Sequence, residues 1–295
     1  MIDILISTTE FNVARIPEKY SYVKVETNPD EEKLITLVTE HSPKGIIAGL
    51  EPFTRRVLQA SKGLRVVSRI GTGIDNVDKE AACELNIEVK RTPDAPIISV
   101  AEMTVTMMLC LIKKLNIMDT WMKKGLWQKA KGHDLANKKV GIIGCGRIGV
   151  KVAELLNNFG CKFIGYDTEV KQHALIRMGS LDTLLKESDI ITLHLPYTPE
   201  TRNIIGRDTL NLIKPTAILL NLARGGLVDE DALCEALDTN RIAGCGFDCF
   251  SNEPYKGKLQ KYENVILTPH AASSSVEGRE RMESEALKNL IEALM

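Results

Sequence analysis

Val140-Gly-Ile-Ile-Gly144-Cys-Gly146-Arg-Ile-Gly149 is a short apolar run that leads directly into G-x-G-x-x-G, and it lies in the middle of the chain. A dinucleotide site needs a tight strand-to-helix turn and a backbone bare enough for a pyrophosphate to approach. It also needs a helix N-terminus whose free N–H groups and dipole face the phosphates. Gly144, Gly146 and Gly149 meet those needs in order. The spacing predicts a helix from about Arg147 to Asn158, followed by a second strand, Cys161-Lys-Phe-Ile-Gly-Tyr-Asp167. That strand ends in an acid 18 residues past Gly149 (167 − 149), where a carboxylate accepts from the ribose hydroxyls of NAD. Strand, glycine turn, helix, strand and terminal acid together predict dinucleotide binding.

Outward from this unit, β-type runs alternate with helical patterns along nearly the whole chain, which predicts an α/β fold with parallel sheets. Strands are expected at Ile2–Ile6, Val23–Glu26, Gly45–Ala48, Leu64–Ser68 and Ile87–Lys90, and again near residues 140, 163, 190, 218, 245 and 266. The expected architecture is two doubly wound, Rossmann-like parallel-sheet domains. The dinucleotide domain, residues 97–274, is inserted in a substrate domain made of residues 1–96 and 275–295, whose last element is an amphipathic helix. After Pro93 and Pro96, Ser99 to about Met118 reads as one long helix, with Ser99 as N-cap and Glu102 completing a capping box. Met103, Val105, Met107, Met108, Leu109, Leu111 and Ile112 cover more of its circumference than one sheet is expected to hide, so a homodimer built on this helix is expected.

Composition excludes several classes. Lys plus Arg is 38 against 39 for Asp plus Glu, which leaves no broad electrostatic footprint for nucleic acid or an anionic membrane. Seven cysteines form no C-x-x-C pair, and an odd, scattered set reads as reduced, in an intracellular, cytoplasmic protein. The most apolar stretch, Met103–Ile112, is far short of the about 20 residues that a membrane span needs. The N-terminus reads as a strand and not as a signal peptide.

Three ionisable residues fall just beyond successive strands: Arg224 in Ala223-Arg-Gly-Gly226, Glu253 in Asp248-Cys-Phe-Ser-Asn-Glu253-Pro, and His270 in Thr268-Pro-His270. Ligands of open α/β sheets bind outside the carboxyl ends of the strands. An imidazole, an acid to orient it and a cation for a carbonyl oxygen are what hydride transfer to a 2-oxo acid requires. No metal is expected. His41, His133 and His173 are expected at the surface, Asp229 as a helix N-cap and Thr198-Pro199 as a helix start; His194 fits either packing or an NAD contact.

These motifs resemble the D-2-hydroxyacid dehydrogenases, closest to their phosphoglycerate dehydrogenase branch. The resemblance runs from about residue 45 to the end. It rests on Ser68-Arg-Ile-Gly-Thr-Gly-Ile-Asp-Asn-Val-Asp78, Arg91-Thr-Pro-Asp-Ala-Pro96 with Ala101-Glu102, the Gly144–Gly149 loop, Thr198-Pro-Glu-Thr-Arg202, Ala223–Gly226 with Val228-Asp-Glu, Asp248–Pro254 and Pro269-His270. It implies that Arg224 binds the substrate carboxylate and carbonyl, Glu253 tunes the histidine, and His270 is the acid/base. It implies a backbone turn at Gly71-Thr72-Gly73 over the substrate carboxylate, where successive N–H groups form an anion-binding nest. It further implies that Thr72, Arg147, Ile148, Leu222, Ala223 and Asp248 line the NAD site beside Gly144, Gly146, Gly149 and Asp167. The loop after His270 reads Ala271-Ala272, where related enzymes often carry a glycine two residues past the histidine.

The expected activity is therefore NAD-dependent interconversion of a D-2-hydroxy acid and its 2-oxo acid. The other reading is an NAD-sensing, corepressor-like binding protein on the same fold. With nothing after Met295, feedback control through an appended regulatory domain is not expected. Asp167 would face the 2′-phosphate of NADP, which predicts NAD as cofactor. Where phosphoglycerate dehydrogenases commonly carry an arginine after the third strand, this chain reads Gly49-Leu-Glu51-Pro52. Arg69, Arg55, Arg56 and Lys129 from a second subunit are the remaining candidates for a phosphate, with Arg69, just before the Gly71 turn, the best placed. A short acid is expected, with a phosphorylated one not privileged.

Overall fold

The computed structural model describes residues 2–295. The chain divides into two compact units, Met1–Pro96 with Ser275–Met295, and Ile97–Ser274.

In the first unit the elements run β1 (Ile4–Ile6), β2 (Tyr22–Lys24), α1 (Glu31–His41), β3 (Gly45–Ala48), α2 (Arg55–Ala60), β4 (Val66–Arg69), α3 (Lys79–Glu84) and β5 (Glu88–Arg91). The last helix of the chain, α10 (Val276–Leu294), belongs to the same unit. The sheet is parallel, in the order β2-β1-β3-β4-β5. Its inner strands are apolar on both faces because helices cover both, as a parallel sheet requires. Leu5, Ile46 and Val67 pack with Leu34, Val38 and Leu58, while Ile4, Ile47 and Val66 pack with Met282, Ala286 and Leu290 of α10. Each such fully buried aliphatic side chain is worth about 1.5–3 kcal/mol of transfer free energy. Ser275 caps α10 by accepting from Gly278 N–H, and Ser68 fastens β4 to it by donating to the Ala286 carbonyl.

The second unit runs α4 (Ile97–Ile112), α5 (Leu115–Lys123), β6 (Lys139–Ile143), α6 (Arg147–Asn157), β7 (Lys162–Tyr166), β8 (Arg177–Met178), α7 (Leu181–Glu187) and β9 (Ile190–Leu193). It continues through α8 (Arg207–Leu210), β10 (Ile218–Asn221), α9 (Glu230–Asp238), β11 (Gly244–Phe247) and β12 (Val265–Leu267). All seven strands are parallel, in the order β12-β11-β10-β9-β6-β7-β8. The winding reverses between β6 and β9, which makes the carboxyl ends of those strands the topological switch point where such sheets bind ligands.

The helix expected from Ser99 to Met118 differs in three ways. It starts at Ile97, so Ser99 is a buried residue inside it and not its N-cap. It stops at Ile112, whose carbonyl accepts from His133 N–H at 2.8 Å, and the chain resumes as α5 after Lys114 in the left-handed region (φ 54°). A chain segment 21 residues downstream (133 − 112) thus ends the helix, and no local sequence signal announces it. Finally, Val105, Met107, Met108, Leu111 and Ile112 are buried inside the unit among residues of α6 and β10, leaving only Met103 and Leu109 half-buried. The circumference argument for a dimer therefore does not hold. Thr198-Pro199 opens a turn and not a helix, with Thr201 N–H donating to the Thr198 hydroxyl; the next helix is α8. Among the described residues, no helix is long and apolar enough to cross a membrane.

Candidate active site

The three glycines after β6 have three different physical reasons. Gly144 sits at φ +97°, and a Cβ there would lie 2.7 Å from the His194 carbonyl. A Cβ on Gly149 would lie 2.1 Å from the Gly144 carbonyl oxygen, so α6 packs directly on the turn. Gly146 faces open space, with no atom within 4 Å of a built Cβ. It is also the N-cap of α6 and supplies no side-chain cap, so the first-turn N–H groups face a bare surface. These residues fit a dinucleotide pyrophosphate. Arg147 is exposed and Ile148 half-buried in that first turn, and Leu222 and Ala223 follow β10 on the same sheet edge.

Asp167 follows β7 directly and is fixed against the glycine turn. Its Oδ2 accepts from Cys145 N–H at 2.8 Å, and its Oδ1 from Glu169 and Val170 N–H at 2.8 and 3.0 Å. Burial opposes its ionisation, but these backbone donors outweigh it and hold the carboxyl below the usual range. A carboxylate has about four lone-pair sites, so one remains for a ribose hydroxyl. His194 places its Nε2 3.0 Å from the Thr192 hydroxyl, and burial pushes its pKa down to about 4, so the ring is neutral.

Arg224, Glu253 and His270 come off three neighbouring strands, β10, β11 and β12, whose ends Asn221, Phe247 and Leu267 are in register. Asn221, fully buried, sets the Arg224 loop by donating to the Arg224 carbonyl at 2.8 Å and accepting from Ala223 N–H at 3.1 Å. Gly225 lets that loop touch the next one, since a Cβ would lie 2.1 Å from the Phe250–Ser251 peptide. His270 occupies the left-handed region (φ 53°), and its Nδ1 lies 2.9 Å from Glu253 Oε2. Glu253 Oε1 accepts from Phe250 N–H at 2.9 Å. Burial pushes the Glu253 carboxyl up, but His270, Phe250 N–H and the nearby Arg224 charge outweigh it, and the group is held below the usual range. An ionised carboxylate only accepts, so Nδ1 carries the proton of this hydrogen bond and Nε2 is the nitrogen left for a ligand. The two side chains are 26 % and 30 % exposed, open enough to be reached and closed enough to act in a reduced dielectric.

Asp248 anchors this loop. Fully buried, it accepts from the Thr268 hydroxyl at 2.5 Å and from Ala271 and Ala272 N–H at 2.8 and 2.9 Å, while its carbonyl accepts from His270 N–H at 2.8 Å. Expected at the cofactor, it spends three of its about four lone-pair sites on the Thr268 hydroxyl and on the Ala271 and Ala272 N–H groups beside His270, and one remains, as at Asp167. Asn221 and Asp248 are positioning residues; the sequence signal for both is a polar residue closing an apolar strand run.

The first unit holds the remaining predicted residues at the carboxyl ends of β3, β4 and β5. Gly71 stands at φ +131°, where a side chain is strained whatever the space around it, and the flexible guanidinium end of Arg69 lies over the turn, 1.5 Å from where a Cβ would be. Gly71 N–H donates to the buried Thr92 hydroxyl at 2.7 Å, so the anion nest loses its first donor to the protein; Thr72 and Gly73 complete the turn. The Thr72 hydroxyl is buried and has no hydrogen-bond partner among the described residues. Glu51 turns inward, 5 % exposed, accepting from Gly49 N–H at 2.7 Å and from the Ser7 hydroxyl at 3.3 Å. Burial pushes its carboxyl up, against the pull of these donors and of the Arg69 charge. Arg55 and Arg56 are committed elsewhere, to Glu84 and Asp78 and to Glu31 and Glu32.

Residues 105–272 match the family model of the D-isomer specific 2-hydroxyacid dehydrogenase NAD binding domain. The chain is 38% identical over 288 residues to the D-3-phosphoglycerate dehydrogenase of Methanocaldococcus jannaschii, covering 95% of this chain and 55% of that one, so it spans about half that relative's length. It is 36% identical over 283 residues to the glyoxylate reductase of Thermococcus litoralis, covering 91% of this chain and 82% of that one. The crystal structure of D-lactate dehydrogenase from Aquifex aeolicus, complexed with NAD and lactic acid, superposes with a TM-score of 0.88 at 30% identity, over 99% of this chain and 94% of that one. The glycine turn with Asp167 and the His270–Glu253 pair beside Arg224 thus stand in a chain that belongs to the D-isomer specific 2-hydroxyacid dehydrogenase family and carries its NAD binding domain.

Proposed function

We propose that the protein interconverts a short, unphosphorylated D-2-hydroxy acid and its 2-oxo acid with NAD as the hydride carrier. The observation that carries this reading is the 2.9 Å contact of His270 Nδ1 with an ionised Glu253, on the sheet edge that also presents Arg224. Bound NAD supplies the site that accepts or gives hydride. In reduction, His270 Nε2 gives a proton to the substrate's carbonyl oxygen; in oxidation it takes the hydroxyl proton. Glu253 keeps the ring in one orientation throughout. The Arg224 guanidinium holds the carbonyl oxygen and the carboxylate, and stabilises the charge that develops on oxygen. Within the first unit, the Thr72 and Gly73 end of the Gly71 turn, with Arg69 over it, is proposed as a carboxylate-binding turn. Gly144, Gly146, Arg147, Ile148, Gly149, Asp167, Leu222 and Ala223 are assigned to the cofactor.

The substrate reading rests on charge. A phosphate carries nearly two negative charges and needs a cluster of cations or fork-like donors. Here Glu51 lies beside Arg69, and Arg55 and Arg56 are paired with acids. Comparison of D-glycerate with 3-phosphoglycerate at matched concentrations tests it. Efficiency for D-glycerate equal to or above that for the phosphorylated acid is expected. A preference above about a hundredfold for 3-phosphoglycerate, abolished by Arg69→Ala, would place the activity in the phosphoglycerate branch; at about 1.4 kcal/mol per tenfold, that is close to the worth of one well-made charged contact.

A homodimer remains part of the proposal on different grounds from those of the sequence. Along α4, α5 and the segment after them, Ile98, Leu115, Met122, Leu126 and Trp127 are exposed, Trp127 by 83%. A run of large apolar side chains of this kind is what an isologous interface buries.

A further inference from the structure

Cys249 is 2 % exposed, and no step of the proposed reaction uses it. Its Sγ, a carboxylate oxygen of Glu253 and a ring nitrogen of His270 all lie within 4.8 Å of one another. We propose that these three side chains form a binding site for a thiophilic divalent cation of the zinc type, and that occupation of the site inhibits the enzyme.

The donor set selects the cation. Zinc takes thiolate sulfur at about 2.3 Å and imidazole nitrogen or carboxylate oxygen at about 2.0–2.2 Å, so its tetrahedral ligands stand about 3.3–3.7 Å apart. Atoms already within 4.8 Å of one another reach that spacing by shifts of about 1 Å or less. One thiolate, one carboxylate and a neutral imidazole balance a dication, and a water completes the four ligands. Magnesium and calcium prefer all-oxygen sites and are disfavoured by sulfur and nitrogen. The backbone is already fixed: Asp248 holds Ala271, Ala272 and Thr268, its carbonyl holds His270 N–H, and Phe250 N–H holds Glu253. Ligands held in this way lose little freedom on binding.

Coordination at Nδ1 displaces the proton that His270 shares with Glu253, which passes to Nε2 and leaves the imidazole neutral. The Cys249 thiol proton leaves to solvent, no bond to carbon changes, and nothing is oxidised. Proton release makes the cation bind more tightly as pH rises. A metallated ring no longer cycles between the two protonation states that the reaction needs. The inhibition rests on the role proposed for His270; the binding does not.

Calorimetric titration of the full chain with zinc chloride alone, without substrate, is expected to give one zinc per chain. Cobalt in its place is expected to give a thiolate-to-metal charge-transfer band in the near ultraviolet. Cys249→Ala should weaken zinc binding at least tenfold and abolish the band, with turnover in zinc-free buffer unchanged. Wild-type turnover should fall as the site fills and recover with EDTA. The proposal is overturned if Cys249→Ala binds zinc as wild type does, or if wild type gives no cobalt band. Should Cys249→Ala fail to fold, Cys249→Ser and the wild-type cobalt spectrum still decide it. Stoichiometric binding without loss of turnover would overturn the inhibitory role. Absence of turnover on any 2-oxo acid would instead strike the proposed reaction and leave the titration standing.

Discussion

His270 holds its ring in place against a cost. A non-glycine residue in the left-handed region is disfavoured by about 1–2 kcal/mol, and Asp248, through the backbone bonds around it, offsets that. Removal of the imidazole by His270→Ala is expected to lower turnover about 10²–10⁴-fold, with NADH affinity by calorimetry nearly unchanged. Glu253→Gln keeps the shape but takes away the anion that Nδ1–H donates to, so kcat should fall by at least tenfold at constant KM. Near-native turnover in His270→Ala would remove the mechanism. Asp167 is expected to carry the cofactor choice. Like charges about 4 Å apart at an effective dielectric near 20 repel by about 4 kcal/mol, and half of that after screening still exceeds tenfold. Efficiency with NADH is therefore expected to exceed that with NADPH by more than tenfold, and parity between the two would sink the claim.

Among the elements, the glycine turn separates folding from binding. Gly144→Ala must place a Cβ 2.7 Å from a carbonyl at positive φ, and Gly149→Ala 2.1 Å from another, so both should lower Tm, each by about 1–3 kcal/mol of stability. Gly146→Val meets open space at ordinary backbone angles, so its Tm should match wild type while NAD affinity falls at least tenfold. Equal loss of Tm in all three would refute the division. At the amino ends of the other sheet, Asp3 accepts from Lys44 and from the Ser21 hydroxyl and N–H, which lowers its pKa to about 2. A depressed carboxyl stabilises the fold above its unfolded value, near 3.9, and that contribution fades as pH falls toward 2. Asp3→Asn should thus lower the urea midpoint at pH 6 by a margin that closes between pH 4 and pH 2; a margin independent of pH would contradict the assignment.

For the whole molecule, the exposed apolar side chains Ile98, Leu115, Met122, Leu126 and Trp127 predict self-association. Sedimentation at micromolar concentration is expected to give twice the 32.7 kDa chain mass, and Trp127→Glu with Leu115→Glu to return the monomer with its Tm nearly unchanged. A wild-type run at the monomer mass alone would defeat the dimer. The α4 stripe that first suggested a dimer is mostly core, so these two outer substitutions probe a different surface from the one that the sequence indicated.

What the sequence determined by itself is what depends on near neighbours. Strand periodicity, the glycine turn after β6, Asp229 as a cap and the residues Arg224, Asp248 and His270 just beyond their strands are all written within windows of about ten residues, where turn chemistry and alternation act. Tertiary structure decided what depends on partners far along the chain. Ser99 lies within a helix that begins two residues before it and is buried there, although its local pattern reads as a cap. The end of α4 is set by an N–H from His133. Asp248 is committed to residues 268–272, and Glu51 to Gly49 and Ser7, by hydrogen bonds that burial makes obligatory. A buried polar group must take whichever partner the fold brings to it, and that partner is not encoded nearby.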